Sequence, residues 1–481
     1  MAPPPDQRVS PPPTAPAAGA GDGRGGGTAG AAGSPATGAT GRGGADRAPD
    51  AHASGPPARS DRAEEDVFGL YIHWPYCTRI CPYCDFNVYK SRSPDPALWR
   101  HALQSSLKAH HAHWPNLRLA SIFFGGGTPS LMPPGLVQDV IDTATGLWPA
   151  APGRLEINLE ANPGSAERAR FADFAAAGVN RLSLGVQALD DAALALLGRD
   201  HSAAEALAAL DTARACFARV SADLIYARPD QTPAAWAAEL DAMIALGVDH
   251  LSLYQLTIEP GTAFAAKAAR GNLRPPDAER TADLYALTQA RTAAAGLPAY
   301  EISNHAAPAA ESRHNRLYWQ GDWYAGIGPG AHGRLPARAQ IDGADGAVTT
   351  GDADHAGGLD GARRAAAVAL ATLAHRRPQA WLDAATGGTT PWAATGIAEA
   401  EPLDAVARGE EMVMLGLRLA EGLDLDALAR RLGPAAGRLL ASPALARAVA
   451  AGLIERRGRR LVVPADKRAL TDAIATRLLA G

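Results

Sequence analysis

YIHWPYCTRICPYCDFN, residues 71–87, carries Cys77, Cys81 and Cys84, three of the four cysteines in a chain of 481 residues. Thiols this scarce and this closely grouped read as ligands. The C-x3-C-x2-C spacing lets one short loop turn three thiolates toward a common centre. An iron–sulfur cluster needs that arrangement when its protein supplies fewer than the usual four sulfurs. An iron left without a protein ligand is a Lewis-acidic, redox-active position open to a small molecule. A disulfide is disfavoured, because three clustered thiols leave one odd and no secretory context favours oxidation. Zinc is the rival, with His73, four residues before Cys77, as a fourth ligand. Tyr71 and Tyr83 read either as core side chains or as aromatic walls of the site.

The run FGLYIHW at 68–74 leads into this loop as a strand. Similar apolar runs recur as LASIFFG (119–125), LEINLE (155–160), RLSLGVQ (181–187), SADLIYA (221–227) and HLSLYQL (250–256). Between them lie helix-period segments at 96–113, 167–177, 203–217 and 234–246. Six strands alternating with helices imply an α/β fold with a parallel sheet and right-handed crossovers, closed into a partial (β/α)6, TIM-like barrel. In such sheets the functional residues gather at the C-terminal strand ends. The cysteine loop follows the first strand, Gly125-Gly126-Gly127-Thr128 follows the second, and Glu160-Ala161-Asn162-Pro163 ends the third. Gln187 ends the fourth and Asp223 lies in the fifth.

From about residue 355 the chain reads as mostly helical, with segments at 402–420 and 423–432. GLIERRGRRLVVP (452–464) follows as two short strands around Gly458, then a last helix at 466–479. Helices followed by a small hairpin resemble a winged-helix module, and the lack of a strong basic excess argues against its use on DNA. Residues 1–66 are Pro, Gly, Ala, Ser and Arg with almost no large apolar side chains, too little to offset the entropy of ordering, and are expected to be disordered. A functional tail and a start codon assigned too far upstream give the same composition. The expected organisation is thus a tail at 1–66, a barrel at 67–350 and a C-terminal domain at 355–481.

Apolar residues make up 47% of the chain, enough for sizeable cores, and the formal net charge is −4. No basic face for nucleic acid and no polybasic membrane patch is evident. Lysine occurs only at 90, 108, 267 and 467, as expected of a GC-rich gene, so alanine runs and arginines carry less weight than usual. No apolar stretch approaches the roughly 20 residues that span a bilayer, and the N-terminus lacks a signal-peptide pattern. The expected location is a reducing cytoplasm.

The three thiols after a first strand, the GGGTP turn after a second and the polar residues ending later strands together resemble the radical S-adenosylmethionine superfamily. That resemblance covers roughly residues 67–481 and implies a [4Fe-4S] cluster on Cys77, Cys81 and Cys84 whose open iron chelates S-adenosylmethionine. It further implies cofactor contacts from Gly126 and Gly127, whose bare backbone admits close approach, and from Thr128. Glu160, Arg199 as a planar fork for a carboxylate, Gln187 and Asp223 for the ribose, and Tyr71 and Tyr83 for the adenine or the cluster complete the set.

YIHWPYC, FGGGTPS, GVQALDD, GRDHS, DLIYARP and GLIERRGRRL resemble more closely the oxygen-independent coproporphyrinogen III dehydrogenases, and within them the HemW-type haem chaperones. The dehydrogenases have a further cysteine two positions after the third ligand, where this chain has Phe86. The segment ESRHNRLYWQ matches the H-N-x-x-Y-W element linked with haem in the chaperones, which implies His314 as an axial ligand and Tyr318 and Trp319 as flat apolar area, within a haem-linked segment at 311–333. Read on their own, without that resemblance, these residues fit a loop-orienting histidine and core aromatics better than a haem site.

The implied function is binding of haem and its transfer to acceptor haemoproteins, with no catalytic residue assigned. A flavodoxin-type reductant and a haem-linked dimer are suggested by the same resemblance. The alternative is radical oxidative decarboxylation of coproporphyrinogen III in porphyrin biosynthesis. One departure stands out. Ala227, Arg228 and Asp230 in DLIYARPDQT replace a turn that is often Gly-Leu-Pro-Gly in the family. Cys216, in ARACFARV, reads as a buried small residue rather than a fourth ligand.

Overall fold

A computed structural model describes residues 67–90, 94–337 and 367–480. The segment 1–66, expected to be disordered, lies outside the described residues. β1 (Val67–Trp74) alternates Phe68, Leu70, Ile72 and Trp74 with Gly69, Tyr71 and His73, and both sets are buried. A strand covered on both faces is what a parallel α/β sheet requires. The Trp74 ring lies 4.8 Å from Trp99 of α1 (Pro96–His113), a helix that starts where the Asp95 carboxylate accepts from the Ala97 N–H at 2.9 Å.

Beside β1 follow β2 (Arg118–Gly126), β3 (Glu156–Ala161), β4 (Arg181–Gln187), β5 (Arg219–Tyr226) and β6 (His250–Gln255), each parallel to its neighbour. The crossovers carry α1, α2 (Pro134–Leu147), α3 (Phe171–Ala176), α4 (Ala203–Cys216) and α5 (Pro233–Ala245). This is the α/β, partial-barrel fold read from the sequence. The helix expected at 167–177 breaks into Ser165–Arg168 and α3. Cys216 ends α4, half-buried and packed against the core.

The sheet continues past both expected edges. After α6 (Ala278–Ala294), β7 (Asn304–Ala306) runs antiparallel to β6. After α7 (Arg313–Trp319), β8 (Trp323–Ile327) inserts parallel to β1 on its other side. β9 (His332–Pro336), β10 (Ala367–Ala374) and β11 (Ile397–Asp404) then follow antiparallel. The order is β11-β10-β9-β8-β1-β2-β3-β4-β5-β6-β7. The helical reading from 355, and of 402–404 within it, is therefore corrected. AVALATLA is an alanine-rich strand with few β-branched residues, and Pro402 is accommodated because β11 is an edge strand. Between these strands α8 (Pro378–Gly387) sets Trp381 against Trp99, 5.6 Å apart and stacked.

The helix expected from 402 begins at Ala405 as α9 (Ala405–Gly416), where the Asp404 carboxylate accepts from Val406 and Ala407 N–H at 2.9 Å. A second core, including Met412, Leu417, Leu428, Ile454 and Ile474, is built from α9, the later helices and a small antiparallel sheet of Leu423–Asp424, Arg460–Val462 and Glu455–Arg457. The final helix, Thr471–Leu479, follows a 3-10 turn at Ala465–Leu470.

Candidate functional site

The loop after β1 is closed by backbone bonds before any ligand is considered. Gly127 N–H donates to the Trp74 carbonyl at 2.7 Å and Thr128 N–H to that of Tyr76 at 2.9 Å. The short pair Tyr76–Cys77 and Tyr89–Lys90 zips the loop's two ends together. A Cβ on Gly127 would lie 2.7 Å from the Tyr76 carbonyl oxygen, and one on Gly126, at φ +105°, 2.6 Å from the His73 ring. Both glycines are thus required by the loop's own approach to the turn.

His73 Nε2 donates to the Asn87 carbonyl at 3.0 Å while Nδ1 accepts from the Tyr71 hydroxyl at 3.1 Å. Burial lowers its pKa to about 4. With both ring nitrogens engaged, His73 holds the loop and is not a fourth metal ligand, which removes the Cys3His reading. Tyr71, considered for cofactor stacking, is buried and packs on Phe123, ring centroids 6.1 Å apart. Tyr83 lies against Phe264 at 6.3 Å.

All three thiols of the loop are free. Cys77 Sγ accepts from Thr128 Oγ1 at 3.5 Å and Cys81 Sγ from Arg199 Nη1 at 3.3 Å. Burial pushes the Cys77 thiol up and that of Cys84 to about 12. Among the described residues no group of three or more His, Cys, Asp or Glu side chains is gathered for a single metal ion. A cubane cluster binds its thiolates through separate irons and needs them farther apart. Donors aimed at two of the three sulfurs, one of them a buried guanidinium, suit ligands that carry negative charge. Arg199 Nη2 also donates to Asn162 Oδ1 and to the Gly185 carbonyl at 3.4 Å, and Asn162 Nδ2 to Thr128 Oγ1 at 3.4 Å. The turns after β2 and β3 are thereby joined to the cysteine loop.

Glu160 and Asp223 sit on the inward face of β3 and β5. Burial, with repulsion from Asp223, raises Glu160 to about 7, and its carboxylate accepts from the Gly126 N–H. Asp223, also raised by burial, accepts from Ser183 Oγ at 3.0 Å on both oxygens. Gln187 closes β4 at φ +68°, and a Cβ on Gly185 would lie 2.8 Å from its Nε2 and 3.5 Å from Arg199 Nη2. The cysteines, Gly126, Gly127, Thr128, Glu160, Gln187 and Arg199 therefore share one mouth, with Asp223 deeper in the barrel.

The H-N-x-x-Y-W element lies elsewhere. α7 packs across the N-terminal ends of β1 to β3, where His314 Nδ1 meets Ser121 Oγ at 2.7 Å and its ring stacks on Phe123 at 4.9 Å. Gly69 leaves the space for it, since a Cβ there would lie 3.0 Å from Nδ1. From Gly69 to Trp74, where the cysteine loop begins, is five residues of strand, roughly 16 Å. His314 is 1% exposed, burial holds it neutral with a pKa of about 3, and Nε2 has no hydrogen-bond partner among the described residues.

Tyr318 stands edge-on to the His314 ring at 4.9 Å, whereas Trp319 points outward beneath Arg418, 4.8 Å from the guanidinium carbon. The Tyr318 and Trp319 rings, expected as flat apolar area, thus have different surroundings, one against His314 and the other under Arg418. Glu156, missed from sequence, fixes the helix. Its carboxylate accepts from Ser312 Oγ at 3.2 Å and from the Arg313 and His314 N–H groups at 3.0 Å each. The polar alternation Glu156-x-Asn158-x-Glu160 in LEINLE was its signal, marking an inward polar face.

Fold and loop together define a protein of the radical S-adenosylmethionine class. The Radical SAM superfamily profile matches residues 71–253, and the HemN C-terminal domain profile residues 403–466. The Heme chaperone HemW of Mycobacterium tuberculosis is 36% identical over 416 residues, covering 86% of this chain and 95% of that protein. The Escherichia coli protein of that name is 39% identical over 272 residues, 55% of this chain and 70% of its own. This chain belongs to the HemW family of radical SAM proteins.

A mitochondrial relative from mouse, Radical S-adenosyl methionine domain-containing protein 1, is 44% identical over 292 residues, 60% of this chain. The match spans 66% of that mouse protein and 60% of its bovine counterpart, less than two thirds of each. Among solved structures, coproporphyrinogen III oxidase (HemN) from Escherichia coli superposes with a TM-score of 0.65 at 19% identity, covering 87% of this chain and 91% of the other, a likeness of fold. No helix among the described residues is long and apolar enough to cross a membrane.

Proposed function

We propose that this chain is a cytoplasmic haem chaperone that holds a [4Fe-4S] cluster on Cys77, Cys81 and Cys84, binds S-adenosylmethionine beside it, and passes haem to acceptor haemoproteins. The observation that carries the proposal is the set of three free thiols in one loop, two of them accepting hydrogen bonds from Thr128 and Arg199. That set occurs in a chain 36% identical across 95% of a protein named Heme chaperone HemW. In this reading the backbone of Gly126 and Gly127, Thr128, Glu160, Gln187, Arg199 and Asp223 orient the cofactor. Arg199 balances charge at Cys81, and His73 with Asn87 keeps the loop shut. A bound cluster with its cofactor would supply one-electron reductive chemistry.

His314 is the haem ligand in this account. Its Nδ1 contact to Ser121 leaves Nε2 without a partner among the described residues, the tautomer a metal needs if Nδ1 carries the proton. Because α7 buries that atom, haem reaches it only when α7 leaves the barrel floor. The two functional units are taken as the partial barrel, its sheet extended at one edge by β10 and β11, and the mostly helical domain from Ala405 onward.

The test is anaerobic reconstitution of the full chain with iron and sulfide. Wild type should hold about four irons with a cluster spectrum that shifts on adding S-adenosylmethionine, and each of Cys77→Ala, Cys81→Ala and Cys84→Ala should lose it. Zinc retained in place of iron would refute the cluster. Carbon dioxide released from coproporphyrinogen III would replace the chaperone reading with the decarboxylase one.

A further inference from the structure

The turn after β5 carries the family departure noted in the sequence, and the structure shows what it entails. Ala227 and Asp230 adopt φ +56° and +61°, a conformation natural to glycine and strained for a residue with a Cβ. Arg228 between them turns inward to a buried carboxylate. Glu239 of α5 accepts from Arg228 Nη1 at 3.1 Å and Nη2 at 2.5 Å and from Gln231 Nε2 at 3.2 Å, with both ionic side chains under 10% exposed. The same carboxylate accepts from the Leu189 N–H at 2.7 Å. Leu189 lies two residues beyond Gln187, the other strained non-glycine strand end, whose amide stands beside the Arg199 guanidinium that donates to Cys81. One buried carboxylate thus ties the strained turn after β5 to the strained end of β4.

We propose that Glu239 is a positioning residue for the cofactor mouth. Its carboxylate holds the ends of β4 and β5 in register, so that Gln187 and Arg199 keep their places beside the cysteine loop. The inference rests on the reading that S-adenosylmethionine binds at this mouth. In place of a glycine-rich turn that adopts its shape unaided, this chain has a turn with side chains, held by an ion pair that also reaches the neighbouring strand.

The experiment measures S-adenosylmethionine affinity by anaerobic equilibrium dialysis of the full, cluster-loaded chain. Iron content and the EPR spectrum of the reduced, cofactor-free cluster serve as controls. R228L/E239L removes the clamp without stranding a buried charge. R228L/E239Q restores only an acceptor for the Leu189 N–H. The first should bind at least roughly tenfold more weakly with unchanged iron content, and the second should recover most of that loss.

Equal affinity in R228L/E239L and wild type would overturn the proposal, as would a loss that the glutamine variant does not reverse. Should R228L/E239L fail to hold the cluster, the same pair is compared in an A227G/D230G background, where the turn needs no support against strain and the Leu189 bond is the remaining difference. Wild type that holds the cluster but binds no S-adenosylmethionine would defeat the underlying reading, and the proposal with it.

Discussion

Replacing Glu156 by alanine should free the helix that carries His314. Its carboxylate receives Ser312 Oγ and the N–H groups of Arg313 and His314, and Arg181 Nη1 lies 3.5 Å from Oε2, with the two side chains 12% and 3% exposed. Truncation leaves two backbone donors at the start of α7 without their acceptor. Among the described residues it leaves the Arg181 guanidinium hydrogen-bonded to the Ala310 carbonyl at 3.1 Å and Ser221 Oγ at 3.0 Å. Removing one partner of a buried ion pair costs about 3–5 kcal/mol, a large share of the roughly 5–15 kcal/mol by which a domain is stable.

Glu156→Gln keeps one acceptor but presents an NH2 group to the same donors, so its loss should be smaller yet above about 1 kcal/mol. Hydrogen exchange at the α7 amides is the assay, because a helix that opens without the whole domain reports its own free energy. Exchange should accelerate there by roughly 10²-fold or more, which is the lower bound of the alanine cost expressed as a rate ratio. Protection of α7 within about tenfold of wild type in Glu156→Ala would refute the claim that this carboxylate anchors the helix.

Two further outcomes follow from particular residues. Ala227→Gly should stabilise the chain by about 0.5–1 kcal/mol in urea unfolding, since the left-handed conformation costs alanine about 1–2 kcal/mol and glycine gives back part of that in chain entropy; destabilisation would contradict the φ of +56°. Burial holds His73 and His110 to a pKa of about 4 and His305 and His314 to about 3, below their unfolded value of 6.5. The unfolded chain therefore binds more protons, so these groups make stability rise from about pH 3 to 6.5. Glu160, raised by burial from 4.5 to about 7, acts in the opposite sense over pH 4.5–7, and the gain from Glu160→Gln should be larger at pH 8 than at pH 4.5.

The six parallel strands were legible because each is a short apolar run punctuated by polar or glycine turns, and RLSLGVQ at 181–187 was read to the residue. Their C-terminal ends then placed the cysteines, the Gly-Gly-Thr turn and Glu160 at one mouth. The strands β8 to β11 were not legible as part of that sheet. WYAGI is five residues long, AVALATLA is dominated by alanine and IAEAEPLD contains a proline, and sheet order at an edge is decided by tertiary packing. The place of α7 was hidden for a similar reason. HNRLYW reads as an aromatic-rich helix, but its seat against Ser121, Phe123 and Glu156 depends on residues more than 150 positions away. Glu239 gave no sequence signal, being one acidic residue on an alanine-rich helix, although the odd turn it supports was visible.

The most direct test of the account is an anaerobic haemin titration of the cluster-loaded full chain, followed by absorbance, with His314→Ala and Glu156→Ala alongside. Saturable uptake in wild type, loss in His314→Ala, and faster association in Glu156→Ala, where α7 is released, are predicted. Absent uptake, or uptake unchanged without His314, would contradict the haem chaperone reading.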